Sequence, residues 1–239
     1  MTQPSPRVYL LDVEGTVAPI SLVSEQLFPY ARVHLADFLK QTLMHPDVQT
    51  DLKLLAEENR AELCEESPTF GIEIRNELHA RAYLLWLMDH DRKSTALKSL
   101  QGKIWKAGFE SGELKGTLFA DVPTVLERWA SGGRVAIYSS GSTDAQRLLF
   151  RYSIYGDLTP LIANYFDTRI GMKPASASYA AIAAAMEVAP EEVLFLSDVV
   201  RELDAAREAG CQTALAVREG NAAVDDAHGH KLVESFTEL

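Results

Sequence analysis

A doubly wound α/β fold, with a mostly parallel sheet and an all-helical domain inserted after the first strand, is the fold class this sequence predicts. Three observations predict it. Short, nearly continuous apolar runs at Val8–Leu11, Arg134–Tyr138 and Val193–Leu196 each pass into a polar cluster, and runs bounded in this way fit strands buried on both faces of a parallel sheet. Helical patterns separate the later runs, and strand alternating with helix marks a parallel sheet covered on both sides. The stretch 21–112 breaks that rhythm, carrying helical patterns without a convincing strand.

Taken in order, the first run ends in Asp12 and continues into Glu14-Gly15-Thr16. In the inserted stretch, Ile72, Ile74, Leu78, Tyr83, Leu85 and Trp86 form a helical pattern. A segment near Pro19-Ile20 and a glycine-containing one, Gly108 to Gly112 and on to Gly116, are expected to attach it. The chain then divides into a core of residues 1–20 and 113–239 and a cap of residues 21–112. A lid beside polar strand ends points to gated chemistry. Beyond the cap, Asp121-Val122-Pro123 opens a helix ending near Gly132-Gly133, with proline in the first turn and glycine past the end. Ser142-Thr143-Asp144 caps a helix through Phe150, Ser176 begins an alanine-rich helix reaching Met186, and Val200–Ala209 closes at Gly210. Thr213–Val217 reads as a further strand, and the remainder, with Asp225, Asp226, His228 and His230, is polar.

Composition narrows the function. The 239 residues are 47% hydrophobic and 24% charged, enough apolar material for one large domain or a medium one with an insertion. With 23 Lys+Arg against 34 Asp+Glu, the formal net charge of −11 argues against non-specific affinity for nucleic acid or anionic membrane, which takes clustered cations. Cys64 and Cys211 build neither a disulfide framework nor a thiolate metal site. No apolar run approaches the roughly 20 residues of a membrane span, and MTQPSPR lacks the apolar core of a signal peptide. The expectation is a cytoplasmic monomer acting on a small molecule, with no nucleic acid and no membrane.

Ligands of open parallel sheets bind outside the carboxyl ends of the strands. Asp12, Ser139, Ser140 and Asp198 all fall there, although the chain separates them widely. Asp12 and Glu14 are two apart, so an extended chain points both the same way. With Asp198 they offer hard oxygen ligands suited to Mg2+. Asp12 alone reads as the start of a turn, and Asp198 at a matching strand end lifts it above that. Ser139-Ser140-Gly141-Ser142 places hydroxyls and N–H groups where a phosphate meets a helix N-terminus, though such residues also serve simply as caps. Lys173, biased to an extended backbone by Pro174, reads alone as a surface charge; inside the same acidic pocket it would neutralise a phosphate. Glu202 either orients a metal ligand or, with Asp204, answers a helix dipole. The histidines show no ligand spacing. Gly102-Lys103 lacks the rest of a P-loop and no Gly-x-Gly-x-x-Gly follows a strand, so neither ATP binding nor nicotinamide chemistry is indicated.

Asp12-Val13-Glu14-Gly15-Thr16, Ser139, Lys173 and Ser197-Asp198, in that order around a helical insertion, resemble the haloacid dehalogenase-like phosphohydrolases. The segments 102–106, 108–112, 137–142 and 165–168 are similar to a group within that family which enolises a small phosphorylated diketone before releasing its phosphate. The resemblance implies a Rossmann-like core with a helical cap, Asp12 as the nucleophile, and Ser139, Ser140 and Lys173 as substrate-binding residues. It implies Mg2+ held by Asp12, Asp198 and Glu14, the last through its backbone carbonyl. The wider family carries Asp as acid and base where this chain has Glu14. Glu is usual there in the narrower group, so the departure favours that group while leaving the acid–base role of Glu14 open. Enolisation is implied by the resemblance alone, with Glu14 or a cap residue as the base. A phosphorylation-receiver module would need neither the cap nor Lys173; a silent binding protein or a phosphatase for another small metabolite are the other readings.

Overall fold

The computed structural model describes residues 4–224 and 229–239, so the polar positions Asp225, Asp226 and His228 lie outside the described residues. The chain forms two compact units, Met1–Val23 with Leu114–Leu239, and Ser24–Glu113. In the first unit the described residues build a six-stranded parallel sheet from β1 (Val8–Leu11), β2 (Arg134–Tyr138), β3 (Asn164–Phe166), β4 (Val193–Ser197), β5 (Gln212–Ala216) and β6 (Lys231–Val233). The strand order is β3-β2-β1-β4-β5-β6. The expected strands are present, with β5 beginning and ending one residue earlier than Thr213–Val217. β3 and β6 were not expected. Each is three residues long, too short for either an apolar run or an alternation to register.

Helices cover both faces. Val8, Leu10, Ala136, Tyr138 and Phe195 pack with Tyr179 and Ile182 of one helix (Ser176–Ala185) and Leu203 and Ala206 of another (Val200–Glu208). On the other face Tyr9 stacks on Trp129 at 4.3 Å, and Trp129 comes from the helix Val122–Gly132 that Pro123 opens. In chain order the helices of this unit are α5 (Val122–Gly132), α6 (Thr143–Arg151), α7 (Ser176–Ala185) and α8 (Val200–Glu208). β4 is buried throughout, β2 from Val135 on and β1 except at Tyr9, which is why these three read as continuous apolar runs and not as alternations.

The second unit is helical: α1 (Phe28–Thr42), α2 (Pro46–Arg60), α3 (Glu77–Asp89) and α4 (Thr95–Ser111) close around Leu35, Leu55, Tyr83, Leu84, Leu100 and Ile104. Two expectations need correction. Ile72 and Ile74 precede α3, which begins after its cap Asn76, whose side chain accepts from His79 N at 2.9 Å. The segment before it is pinned as a loop, because Asn59 donates to Ile72 O (2.7 Å) and accepts from Thr69 Oγ1 (2.5 Å). The expected glycine-rich connection is also mostly helix: Gly108 lies within α4 and is glycine because a Cβ there would stand 2.6 Å from the Tyr30 ring. Only Gly112, at φ +81°, ends the helix in the left-handed manner glycine favours.

A buried cation ties the loop after β1 to the chain's end. Arg218 lies between the rings of Phe119 and Phe236 (4.7 and 4.2 Å). It donates to Thr16 O, Glu234 O and Asp121 Oδ2 at 3.2, 2.8 and 3.0 Å. Burial opposes ionisation of Asp121, but the Phe236 amide and Arg218 outweigh it and hold that carboxyl below the usual range. Arg218→Met is expected to lower unfolding free energy by about 3 kcal/mol in urea titrations at pH 7, since it leaves a buried carboxylate unpaired. Because the folded pKa of Asp121 is depressed, its stabilising contribution is present above about pH 4 and lost below. The gap between the two proteins should therefore narrow as the pH falls through that value.

Candidate active site

Parallel register sets three strand ends level. Leu11 pairs with Ile137 on one side and Leu196 on the other, so Asp12, Tyr138 and Ser197 stand side by side, with Ser139 and Asp198 one residue further on. This is where the strand order turns from the β1-β2-β3 side to β4, the switch point at which open α/β sheets place their ligands. Asp12 N donates to Leu196 O (2.9 Å), and the chain then folds back: Thr16, Val17 and Ala18 amides all donate to Val13 O. The condition that would point Asp12 and Glu14 the same way, a chain that stays extended beyond them, is not met, because this turn begins at Val13. Glu14 still reaches the cluster, its Oε2 accepting from Ser139 Oγ at 3.4 Å.

Gly15 makes the turn possible in two ways. Its φ of +70° suits glycine, and a Cβ would stand 2.4 Å from Asp198 Oδ2 and 3.0 Å from Asn221 Oδ1. Asn221 donates to Gly15 O at 2.9 Å, while its own Oδ1 is buried without a partner among the described residues.

Lys173 occupies the middle of the acids. Only 8% exposed, it places Nζ 2.6 Å from Asp12 Oδ1 and 2.7 Å from Glu202 Oε2. Ser197 Oγ lies 3.3 Å from Asp12 Oδ2 and 3.0 Å from Glu202 Oε2, and its one proton serves one carboxylate at a time. Glu202 has a role that neither of its two readings named: it grips Lys173, whereas Asp204 turns to Arg207 (2.5 Å) and His230 (3.1 Å). Burial alone would depress the Lys173 pKa, but Asp12 and Glu202 more than reverse it and the ammonium is held above its ordinary value. Glu14 and Glu202 are pushed up, first by burial and then by the charge of Asp12. Asp198 rises to about 6 for the same two reasons in the same order.

The serine loop is fixed from below. Ser139 N donates to Phe166 O, Gly141 N donates to Ser139 Oγ at 3.1 Å, and Ser142 caps α6 by accepting from Ala145 N at 3.2 Å. Gln146, which the sequence analysis did not single out, donates to Gly141 O (2.8 Å) and Phe166 O (2.9 Å). No periodicity marks such a residue, because it lies on the buried side of α6 among positions that read as core. Ser140 is exposed beside the buried Ser139.

Among the described residues, no group of three or more His, Cys, Asp or Glu side chains is arranged to hold a metal ion. Asp12 Oδ1 is already engaged by Lys173 and Val13 N, and the Glu14 carboxylate turns to Ser139. A divalent cation nonetheless fits the donor chemistry, because Asp12 and Asp198 are hard oxygen ligands whose mutual repulsion a cation relieves. The unpartnered Asn221 Oδ1 stands on the same side of Gly15 as Asp198.

Fold and site together define a hydrolase of the haloacid dehalogenase class, and the chain belongs to the haloacid dehalogenase-like hydrolases, whose family model matches residues 6–210. These hydrolases generally use a divalent metal. Within that class the chain is 52% identical over 231 residues to Enolase-phosphatase E1 of Synechococcus elongatus, covering 96% of each. It is 43% identical over 232 residues to Enolase-phosphatase E1 of Pseudomonas fluorescens, covering 97% of this chain and 96% of that one. The crystal structure of the UTR4 protein from Saccharomyces cerevisiae, 37% identical, superposes with a TM-score of 0.82 over 98% of this chain and all of that one.

The Asp198 carboxyl must lose its proton to bind a cation, so protons and metal compete. With a pKa near 6, calorimetric titration with Mg2+ should give an apparent affinity about tenfold weaker at pH 5 than at pH 7.5. Equal affinities at the two pH values would contradict a role for Asp198 as ligand.

Proposed function

We propose that this chain is an enolase-phosphatase, or acireductone synthase, of methionine salvage. Its substrate is 2,3-diketo-5-methylthiopentyl-1-phosphate, which it enolises and then dephosphorylates to 1,2-dihydroxy-3-keto-5-methylthiopentene and phosphate. The observation that carries the phosphate half is the buried Lys173 ammonium 2.6 Å from the Asp12 carboxylate at the end of the central strand. The enolase half rests on likeness to relatives bearing that name along nearly their whole length.

Asp12 attacks phosphorus, forming an oxygen–phosphorus bond as the substrate's ester bond breaks, and water later removes the phosphoryl group from Asp12. Attack of a carboxylate on a phosphate dianion faces charge repulsion, which Lys173 and the Ser139, Ser140 and loop N–H donors offset. Mg2+, when held by the Asp12 and Asp198 carboxylates and the Glu14 carbonyl, supplies further positive charge against the phosphate oxygens. Glu14 is protonated more readily than a free carboxyl, which suits it to give the leaving oxygen a proton. A phosphate bound this close to Lys173 competes with Glu202 for the ammonium, so Glu202 sets how readily Lys173 turns to substrate. The same reading includes a cytosolic monomer acting on a small molecule, in keeping with two free cysteines and a net charge of −11.

Mixing the purified protein with the diketo phosphate, with and without Mg2+, tests the whole assignment. Ultraviolet absorbance of the enol products together with released phosphate, both dependent on Mg2+, is the expected result. Hydrolysis of a generic phosphate ester with no enol signal would leave the phosphatase and remove the salvage role. Asp12→Asn should abolish phosphate release while its thermal melt stays cooperative; measurable turnover in that variant would remove Asp12 as nucleophile.

A further inference from the structure

Three successive backbone carbonyls lead to the catalytic ammonium, and each accepts a hydrogen bond from a different side-chain hydroxyl. Tyr138 Oη donates to Gly171 O, Ser178 Oγ to Met172 O and Tyr179 Oη to Lys173 O, all at 2.8 Å. We propose that Tyr138, Ser178 and Tyr179 form a hydroxyl clamp that fixes the Gly171–Lys173 backbone and so positions the Lys173 ammonium for the phosphate. They are positioning residues, acting through Lys173.

The surroundings fit this role and not simple core filling. A lysine is a point charge on a flexible four-carbon stem, so where it stands depends on how firmly its backbone is held. Met172 is 61% exposed and Gly171 half-buried, so side-chain packing does little to anchor the segment. Pro174 follows Lys173 and carries no N–H to donate. Gly171 adopts φ +147°, and a Cβ there would stand 2.2 Å from Ser178 Oγ, so the glycine is what admits the Ser178 hydroxyl to the next carbonyl.

The clamp also joins the elements that carry the other site groups. Tyr138 directly precedes Ser139 at the end of β2, whereas Ser178 and Tyr179 lie in the first turns of α7. The two tyrosine rings meet edge to face at 5.7 Å, and Tyr179 packs on Phe195 of β4 at 4.9 Å. Burial pushes both phenols above their ordinary range, so they remain donors. Met172 O also accepts from Ala175 N at 3.0 Å, so the Ser178 hydroxyl adds a second bond there, whereas Gly171 O and Lys173 O are met by the tyrosine hydroxyls, which an apolar ring of the same shape would not replace.

This inference rests on the phosphate-transfer half of the proposed function, and its test uses orthovanadate, a phosphate mimic, so that it is independent of the diketone. Binding would be measured calorimetrically with Mg2+ present in the parent, in Tyr179→Phe with Ser178→Ala, in Lys173→Met, and in the combined triple variant. The clamp variant should bind about tenfold more weakly, the scale of a lost hydrogen bond to a charged centre. The triple variant should bind no more weakly than Lys173→Met, because the clamp has nothing left to position. A clamp variant that binds like the parent, or a loss that multiplies on top of Lys173→Met, overturns the proposal. If the double variant fails to fold, Tyr179→Phe and Ser178→Ala are read singly in both backgrounds by the same criterion. A parent that neither binds orthovanadate nor hydrolyses a phosphate ester would instead sink the phosphatase reading and the clamp with it.

Discussion

Four carboxyl groups, those of Asp12, Glu14, Asp198 and Glu202, crowd the carboxyl edge of one sheet, and a single buried ammonium, Lys173, stands among them. The rest of the core is arranged around that imbalance. A lone buried charge is costly, and the acids answer it in two ways. Asp12 and Glu202 pair with Lys173, and Glu14, Asp198 and Glu202 hold their protons more tightly than free carboxyls do. Stored repulsion of this kind makes a place for positive charge, and a phosphate with its counter-cation is a ligand that answers both signs at once.

The scaffold delivers these groups by register and by close approach. Parallel pairing of β1 with β2 and β4 sets Asp12 level with Tyr138 and Ser197 and so brings Ser139 and Asp198, one residue further on, to the same edge from distant parts of the chain. Gly15 lets Asp198 lie against the turn after β1. Arg218 anchors the same turn at Thr16, and its stacking between Phe119 and Phe236 places the anchor in the hydrophobic body of the unit. Burial, hydrogen bonding and charge therefore act on a few residues of loop, and those loops carry the chemistry.

Much of this could be read from the chain before any coordinates. Val8–Leu11, Arg134–Tyr138 and the run from Val193 were legible because strands buried on both faces leave long apolar runs, and the polar residues after them marked the ligand-binding edge. β3 and β6 were not legible, being three residues each, and β6 is an edge strand with Lys231 and Leu232 exposed. Gly108 misled because glycine reads as a breaker; here it makes room for the Tyr30 ring, a contact between residues far apart in sequence. Glu202 was ambiguous for a physical reason: an acid in a helix's first turn answers the dipole whether or not a lysine lies across from it. Tyr138 and Tyr179 read as core because their rings are core, and the hydroxyls that reach the Lys173 segment leave no trace in hydrophobic patterning.

The central claim is that Asp12 carries the phosphoryl group. Quenching a single turnover and reducing with borohydride converts an aspartyl phosphate into homoserine, which peptide mass spectrometry can place on the chain. The account predicts that homoserine appears at position 12, and that it grows and decays with turnover. Released phosphate with position 12 unmodified throughout, or modification at another carboxyl, would contradict it.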